Sequence, residues 1–227
     1  MIKAIALDID GTITFEDRRL DIEAVKAIRK AEEVGLPVIL ATGNVLSFAE
    51  FASIWLGTTG PLIAEDGGIV YLRKTDELIL LGNREEAERG LKALERRFGK
   101  LTQTKSSKER LTGLTLERTL TAQQAMEVFK QEGLNLVAVD SGFAIHIRSP
   151  EINKGTALKH AASLLDLSTH EIAAIGDAPN DVEMLQTAGL SFAVANSHET
   201  VKQVCTRVTA SPYGKGVAEA IEEILKL

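Results

Sequence analysis

The chain has 227 residues, 44% of them hydrophobic, one cysteine and a formal net charge of −6. That is enough apolar material for one large core or two modest ones, and a lone Cys205 excludes an intramolecular disulfide. The acidic balance argues against a nucleic-acid partner, which needs clustered Lys and Arg, and no apolar run approaches the roughly 18–20 residues that cross a bilayer.

Residues 2–9 are almost all apolar rather than alternating, which predicts a central parallel strand covered on both faces. Asp21 is placed to cap a helix with Ile22, Val25, Ile28 and Ala31 on one face, Gly35 to end it, and PVILATG at 37–43 to form the next strand. LIAEDGGIVYL at 62–72 reads as two strands joined by an Asp-Gly-Gly turn.

The rhythm then changes. Asn83 can cap a helix closed by Gly99, a strand follows near 112–118, Thr121 can cap a second helix ending at Gly133, and LNLVAVDSGFAIHIRS reads as a hairpin turning at Asp140, Ser141 and Gly142. A helix over about 155–166, strand IAAIG at 172–176, a helix near 181–188, strand SFAVA at 191–195 and a last helix over 216–225 restore the earlier alternation. The expected fold is α/β: a doubly wound parallel sheet formed by 1–81 and 152–227, interrupted by a small α+β insert at 82–151.

Four stretches carry chemistry. In LDIDGTIT, side chains alternate, so Asp8 and Asp10 share one side of a strand end, and Gly11 lets the chain turn away. An isolated Asp-Gly pair more often caps a turn, and a calcium loop would need glycine at the sixth position and an acid at the twelfth; here glycine comes fourth and Arg19 twelfth. GDAPND at 176–181 repeats the arrangement, with Asp177 at a strand end and Asp181 one turn on. ATGN at 41–44 offers the Thr42 hydroxyl and the Gly43 backbone to an anion, although Thr-Gly is also ordinary turn chemistry. In NKG, Asn153 can cap a helix whose first turn contains Lys154, a cation misplaced against the helix dipole unless an anion lies nearby.

Alone, each stretch has an ordinary structural explanation; together they describe a phosphoryl-transfer site. Three converging carboxylates repel one another and call for a hard cation, and oxygen ligands without a His or Cys cluster select Mg²⁺. Phe98, Phe129 and Trp55 are expected in cores, and His146, alternating with Ile145 and Ile147, is expected in a half-buried strand rather than as a ligand. Arg118 and Arg148 are candidates for holding a substrate carboxylate, against the commoner fate of solvated surface arginines.

DIDGT at 8–12, ATG at 41–43, Lys154 and GDAPND at 176–181 resemble, in order and spacing, the four motifs of haloacid dehalogenase (HAD)-type phosphatases. The resemblance spans the chain. It implies a Rossmann-like core and a substrate-selecting cap between the second and third motifs, of the type found in Cof-like sugar phosphatases and, given its shortness, most like that of archaeal phosphoglycolate phosphatases. It further implies Asp8 as nucleophile, Asp10 as the acid and base, and phosphoryl binding by Thr42, Gly43 and Lys154. Mg²⁺ would be held by Asp8, the Asp10 carbonyl, Asp177 and Asp181, with Asn180 in support and Asn196 near the site.

The substrate expected is a small phosphorylated metabolite, 2-phosphoglycolate first; a Cof-like sugar phosphatase or a phosphomutase is the alternative, and a receiver-like signalling module a remote one. Nothing at the N-terminus resembles a secretory leader, so a cytoplasmic protein is expected, with no nucleic-acid or membrane partner and with homodimerisation left open. Two departures stand out: Asn44 where related sequences often have Arg, and Asp66-Gly67 where they often have Asn-Gly. These are expected to bear on substrate choice and to leave the core chemistry untouched.

Overall fold

Five consecutive buried residues, Ala4–Asp8, form β1 at the middle of an eight-stranded sheet in the computed structural model, which describes all 227 residues. Strand β1 feeds α1 (Ile22–Glu33), whose first turn is capped by the Asp21 carboxylate accepting from the Glu23 N–H. Then come β2 (Val38–Ala41), α2 (Leu46–Leu56), β3 (Leu62–Ala64) and, after a one-turn 3₁₀ segment at Glu65–Gly67, β4 (Ile69–Leu72) and β5 (Glu77–Leu80). The β3–β4 pair is the expected hairpin, antiparallel, with Ile63 opposite Val70.

The inserted segment contains α3 (Arg84–Phe98), β6 (Leu114–Leu116), α4 (Ala122–Gln131), β7 (Val137–Asp140) and β8 (Ile145–Arg148), with Asn83 and Thr121 as N-caps. Its strands form an antiparallel sheet in the order β6-β8-β7. Leu91, Leu94, Phe129, Ile145 and Ile147 belong to a separate apolar core. The chain resumes the first pattern with α5 (Lys154–Leu164), β9 (Ile172–Gly176), α6 (Val182–Thr187), β10 (Leu190–Ala193), α7 (Glu199–Lys202), β11 (Arg207–Val208) and α8 (Tyr213–Ile224). By internal packing there are two units, Met1–Ile79 with Asn153–Leu227, and Leu80–Ile152. No helix is long and apolar enough to cross a membrane.

The large sheet runs β11-β10-β9-β1-β2-β3-β4-β5, so the chain winds outward from β1 in one direction and from β9 in the other. That is a doubly wound α/β sheet whose strand order reverses between β1 and β9, the place where such sheets bind ligands at their carboxyl ends.

Two aromatic residues depart from expectation. Helix α2 buries Ala49, Ser53 and Leu56, which leaves the opposite stripe outside: Trp55 is 65% exposed and stacks on Phe51 with ring centroids 4.6 Å apart. Phe98, the last residue of α3, is 40% exposed, whereas Phe129 is buried as expected. Side-chain size pointed inward in all three cases; helical phase turns Trp55 outward, and Phe98, though in phase with Ala87, Leu91 and Leu94, is left half-exposed where α3 ends.

Candidate active site

Strand register assembles the site. Asp8 lies opposite Ala41 of β2, and Leu7 opposite Ile175 of β9, so the residues just past the two neighbouring strands, Thr42 and Asp177, flank the end of β1. The chain leaves β1 through a knot in which the Ile9 carbonyl accepts the N–H groups of Thr12, Ile13 and Thr14. Gly11 is required there on two counts: its φ is +85°, and a Cβ would come within 2.5 Å of Asp177 Oδ2.

Lys154 stands at the first position of α5, fixed by a capping box in which Asn153 Oδ1 accepts from the Thr156 N–H at 2.8 Å and Thr156 Oγ1 accepts from the Asn153 N–H at 3.1 Å. Its side chain is 0% exposed and its ammonium donates to Asp8 Oδ1 at 2.5 Å and to Asp181 Oδ1 at 2.6 Å. Lys154 is therefore no solvated surface lysine: a buried ammonium without these carboxylates would cost several kcal/mol. Asp181 is also fully buried, and its Oδ2 accepts the backbone N–H groups of Asp177 and Ala178 at 3.1 and 3.0 Å. Asp177 Oδ1 in turn accepts the Thr12 hydroxyl at 2.8 Å.

A second group of contacts surrounds Asp10. Asn44 Nδ2 donates to Asp10 Oδ2 at 2.8 Å and to Thr42 Oγ1 at 3.2 Å, while the Arg18 guanidinium donates through Nε to Asp10 Oδ1 at 3.0 Å. Thr42 is fully buried. Gly43 lets Asp66 approach, since a Cβ at 43 would meet Asp66 Oδ1 at 2.7 Å, and that same oxygen accepts from Asn180 Nδ2 at 3.2 Å. Glu65 and Asp66 both have left-handed backbone, with φ of +53° and +58°. Asn196 ties the β1 exit loop to α8, donating to the Gly11 carbonyl and accepting the Tyr213 N–H.

The sequence-derived residues Asp8, Asp10, Thr42, Gly43, Lys154, Asp177, Asn180 and Asp181 are thus brought to one edge of the sheet. Asn44 and Asp66, expected to bear on substrate choice, both touch this constellation: the first bonds Asp10 and Thr42, the second bonds Asn180. Arg118 lies just beyond β6 and donates to Asp140 Oδ2 and the Gly142 carbonyl; Arg148, on β8, donates to the carbonyls of Ser149 and Ile152. His146 is half-buried on β8, its Nε2 3.0 Å from Ser141 Oγ.

Sequence reasoning missed Arg18 and the part played by Thr12. Thr12 sits inside the DIDGT motif, so its position next to the acids was available. Arg18 is one of two arginines in a charged turn and carried no local signal.

The electrostatics follow from crowding. Burial, and then the adjacent Asp181 carboxylate, push Asp8 well above the usual carboxylate range, with Lys154 opposing and Asp177 adding to the shift. Burial and Asp181 likewise push Asp177 up to about 6, against the Thr12 hydrogen bond and Lys154. Burial alone would push the Lys154 ammonium down, but Asp181 and Asp8 outweigh it and keep the amine protonated above its ordinary range. Acceptor oxygens of Asp8, Asp177 and Asp181 lie within 4.8 Å of one another, and Asp8 Oδ2 is buried with no hydrogen-bond partner. An all-oxygen donor set of three crowded carboxylates fits a hard divalent cation.

Known proteins resemble this chain over nearly its whole length. The profile of the haloacid dehalogenase-like hydrolases matches residues 5–98 and 100–221. A phosphoglycolate phosphatase of Methanothermobacter thermautotrophicus is 38% identical over 99% of both chains, and one of Archaeoglobus fulgidus is 40% identical over 97% of this chain and 96% of its own. Among solved structures, a Thermoplasma acidophilum protein superposes with a TM-score of 0.89 at 26% identity over the whole of both chains. A sugar phosphatase of HAD subclass IIB superposes at 0.80 with 18% identity over 99% of this chain and all of its own, a likeness of fold. By its motifs, its strand-end site and these matches, the chain belongs to the haloacid dehalogenase-like hydrolase family.

Proposed function

We propose that this chain is a Mg²⁺-dependent phosphatase that hydrolyses 2-phosphoglycolate to glycolate and phosphate through an aspartyl-phosphate on Asp8. The observation that carries the proposal is the state of Asp8: one oxygen is pinned by Lys154, and the other is buried and unpartnered at the strand-order reversal of the sheet. An oriented, poorly solvated carboxylate oxygen is a nucleophile awaiting an electrophile.

In the first half-reaction Asp8 attacks phosphorus as the bond to the glycolate oxygen breaks, and Asp10 gives that oxygen a proton. In the second, Asp10 takes a proton from water, the water oxygen bonds to phosphorus, and the acyl-phosphate bond breaks to restore Asp8. Lys154, the Thr42 hydroxyl and the Gly43 N–H bind the phosphoryl oxygens.

Asp8, Asp177 and the Asp10 carbonyl would hold the cation. Asp181 would complete that set and, with its oxygens accepting from Lys154 and two backbone N–H groups, would also orient Lys154 and the Asp177 turn, while Asn180 would steady the same turn through Asp66. When bound, Mg²⁺ supplies charge neutralisation for an anionic substrate approaching anionic ligands.

The substrate assignment draws on the full-length relatives named phosphoglycolate phosphatase. The insert, taken as 82–151, is assigned the substrate-selecting role. A screen of 2-phosphoglycolate, hexose phosphates and nucleotides with Mg²⁺, ranked by kcat/KM, tests the reading. It is expected to place 2-phosphoglycolate first, with free phosphate as product. A hexose phosphate ranking first would make the chain a sugar phosphatase, an isomeric sugar phosphate as product would make it a phosphomutase, and a long-lived phosphoprotein without phosphate release would make it a signalling module.

A further inference from the structure

We infer that Arg18 forms a carboxylate-binding subsite for the leaving group, so that part of substrate selection is built into the β1 exit loop; this rests on the 2-phosphoglycolate reading. Residues 14–20 form a short hairpin closed by a Thr14–Leu20 bridge, with the Phe15 N–H donating to the Arg19 carbonyl and the Arg18 N–H to the Phe15 carbonyl. Phe15 packs edge-on against Tyr213 at 5.5 Å, which anchors the hairpin on α8.

Arg18 is the third residue of the three-residue loop and has the left-handed φ of +66° that such a hairpin takes at that position. What it is aimed at is Asp10: Nε and Nη2 both lie 3.0 Å from Oδ1, and the side chain is 49% exposed.

The chemistry of the leaving group supplies the reason. Asp10 must touch the ester oxygen to protonate it, and in 2-phosphoglycolate the acid carbon is only two bonds from that oxygen. The substrate carboxylate therefore arrives beside Asp10, another carboxylate, and needs a cation there. Lys154 is committed to Asp8 and Asp181, and Asn44, on the opposite oxygen of Asp10, is neutral. Arg18 is the cation that meets Asp10, and a guanidinium can serve two carboxylates at once.

The test compares 2-phosphoglycolate with 2-hydroxyethyl phosphate, a near-isostere with a neutral hydroxymethyl group in place of the carboxylate, for the wild type, Arg18→Gln and Arg18→Lys in the full-length enzyme with Mg²⁺, with circular dichroism as a check on folding. The wild type is expected to prefer 2-phosphoglycolate. Arg18→Gln is expected to cut the ratio of the two kcat/KM values by about 10- to 100-fold, chiefly through KM for the acid, and Arg18→Lys to recover part of it. An Arg18→Gln ratio equal to that of the wild type, whatever the absolute rates, overturns the subsite and leaves Arg18 only positioning Asp10. A wild type without preference for the acid overturns the substrate reading itself, independently of any variant.

Discussion

Two groups of ion pairs, one in each unit, treat charge in opposite ways. In the doubly wound unit, Lys154, Asp8 and Asp181 are withdrawn almost wholly from water at the sheet edge, where each acid is pushed against another and one lysine serves two of them. In the insert, Arg96 pairs with Glu132 at 2.7 Å and Arg118 with Asp140 at 2.8 Å, and all four side chains remain at least one-third exposed. Exposed pairs of the second kind contribute little, whereas buried charges of the first kind are retained against a desolvation cost. The contrast locates chemistry in the first unit and leaves the insert's visible ion pairs as surface structure.

The contrast breaks most visibly at Lys154. Replacing it by Met leaves two buried carboxylates without their cation and is expected to lower unfolding free energy by about 3–5 kcal/mol, measured by urea denaturation. Turnover should fall with it. A loss below 1 kcal/mol, of the size expected at Arg96, would erase the distinction between the units.

Next in size is the response to metal. Asp177 titrates in the metal-free fold near 6 against an ordinary 3.8, so its protonation favours the fold; that contribution is complete below pH 3.8 and is lost as pH rises through about 6. The burial shift on Asp8 has the same sign. A cation that requires the ionised carboxylates runs the other way. Mg²⁺ at about 100 times its Kd should add about 2.7 kcal/mol of stability at neutral pH and progressively less as the pH falls through 6, read as a shift in Tm. Equal shifts at both ends of that range would detach the metal from these acids.

The smallest effect belongs to the insert. Arg96→Ala should change stability by less than about 1 kcal/mol in the same denaturation experiment, and added salt should shrink the difference further.

Much of this organisation was legible in the sequence because it is written locally. The unbroken apolar runs of β1 and β9 mark strands covered on both faces, and Asp21, Asn83, Thr121 and Asn153 each cap the helix that follows, since capping needs only a short side chain beside free N–H groups. The acids at strand ends were visible by position. Strand β5 was not, because its residues are mostly exposed and carry no alternation, and β11 has only two residues.

Arg18, and the contact by which Asp66 reaches Asn180, were missed for a different reason. Each reaches the site only because a loop returns to it, and a return of that kind is a property of tertiary packing rather than spacing. Trp55 illustrates the converse: a bulky apolar side chain reads as core until the helix phase, set by Ala49, Ser53 and Leu56, turns it outward.

The central claim is that Asp8 receives the phosphoryl group. It is tested most directly by steady-state hydrolysis of 2-phosphoglycolate with Mg²⁺ by the wild type and by Asp8→Asn, which keeps an oxygen to accept from Lys154 but removes the carboxylate nucleophile. The account predicts a loss of at least about 10³-fold in kcat with the fold intact by circular dichroism. An Asp8→Asn enzyme that retains a tenth or more of wild-type turnover would contradict it.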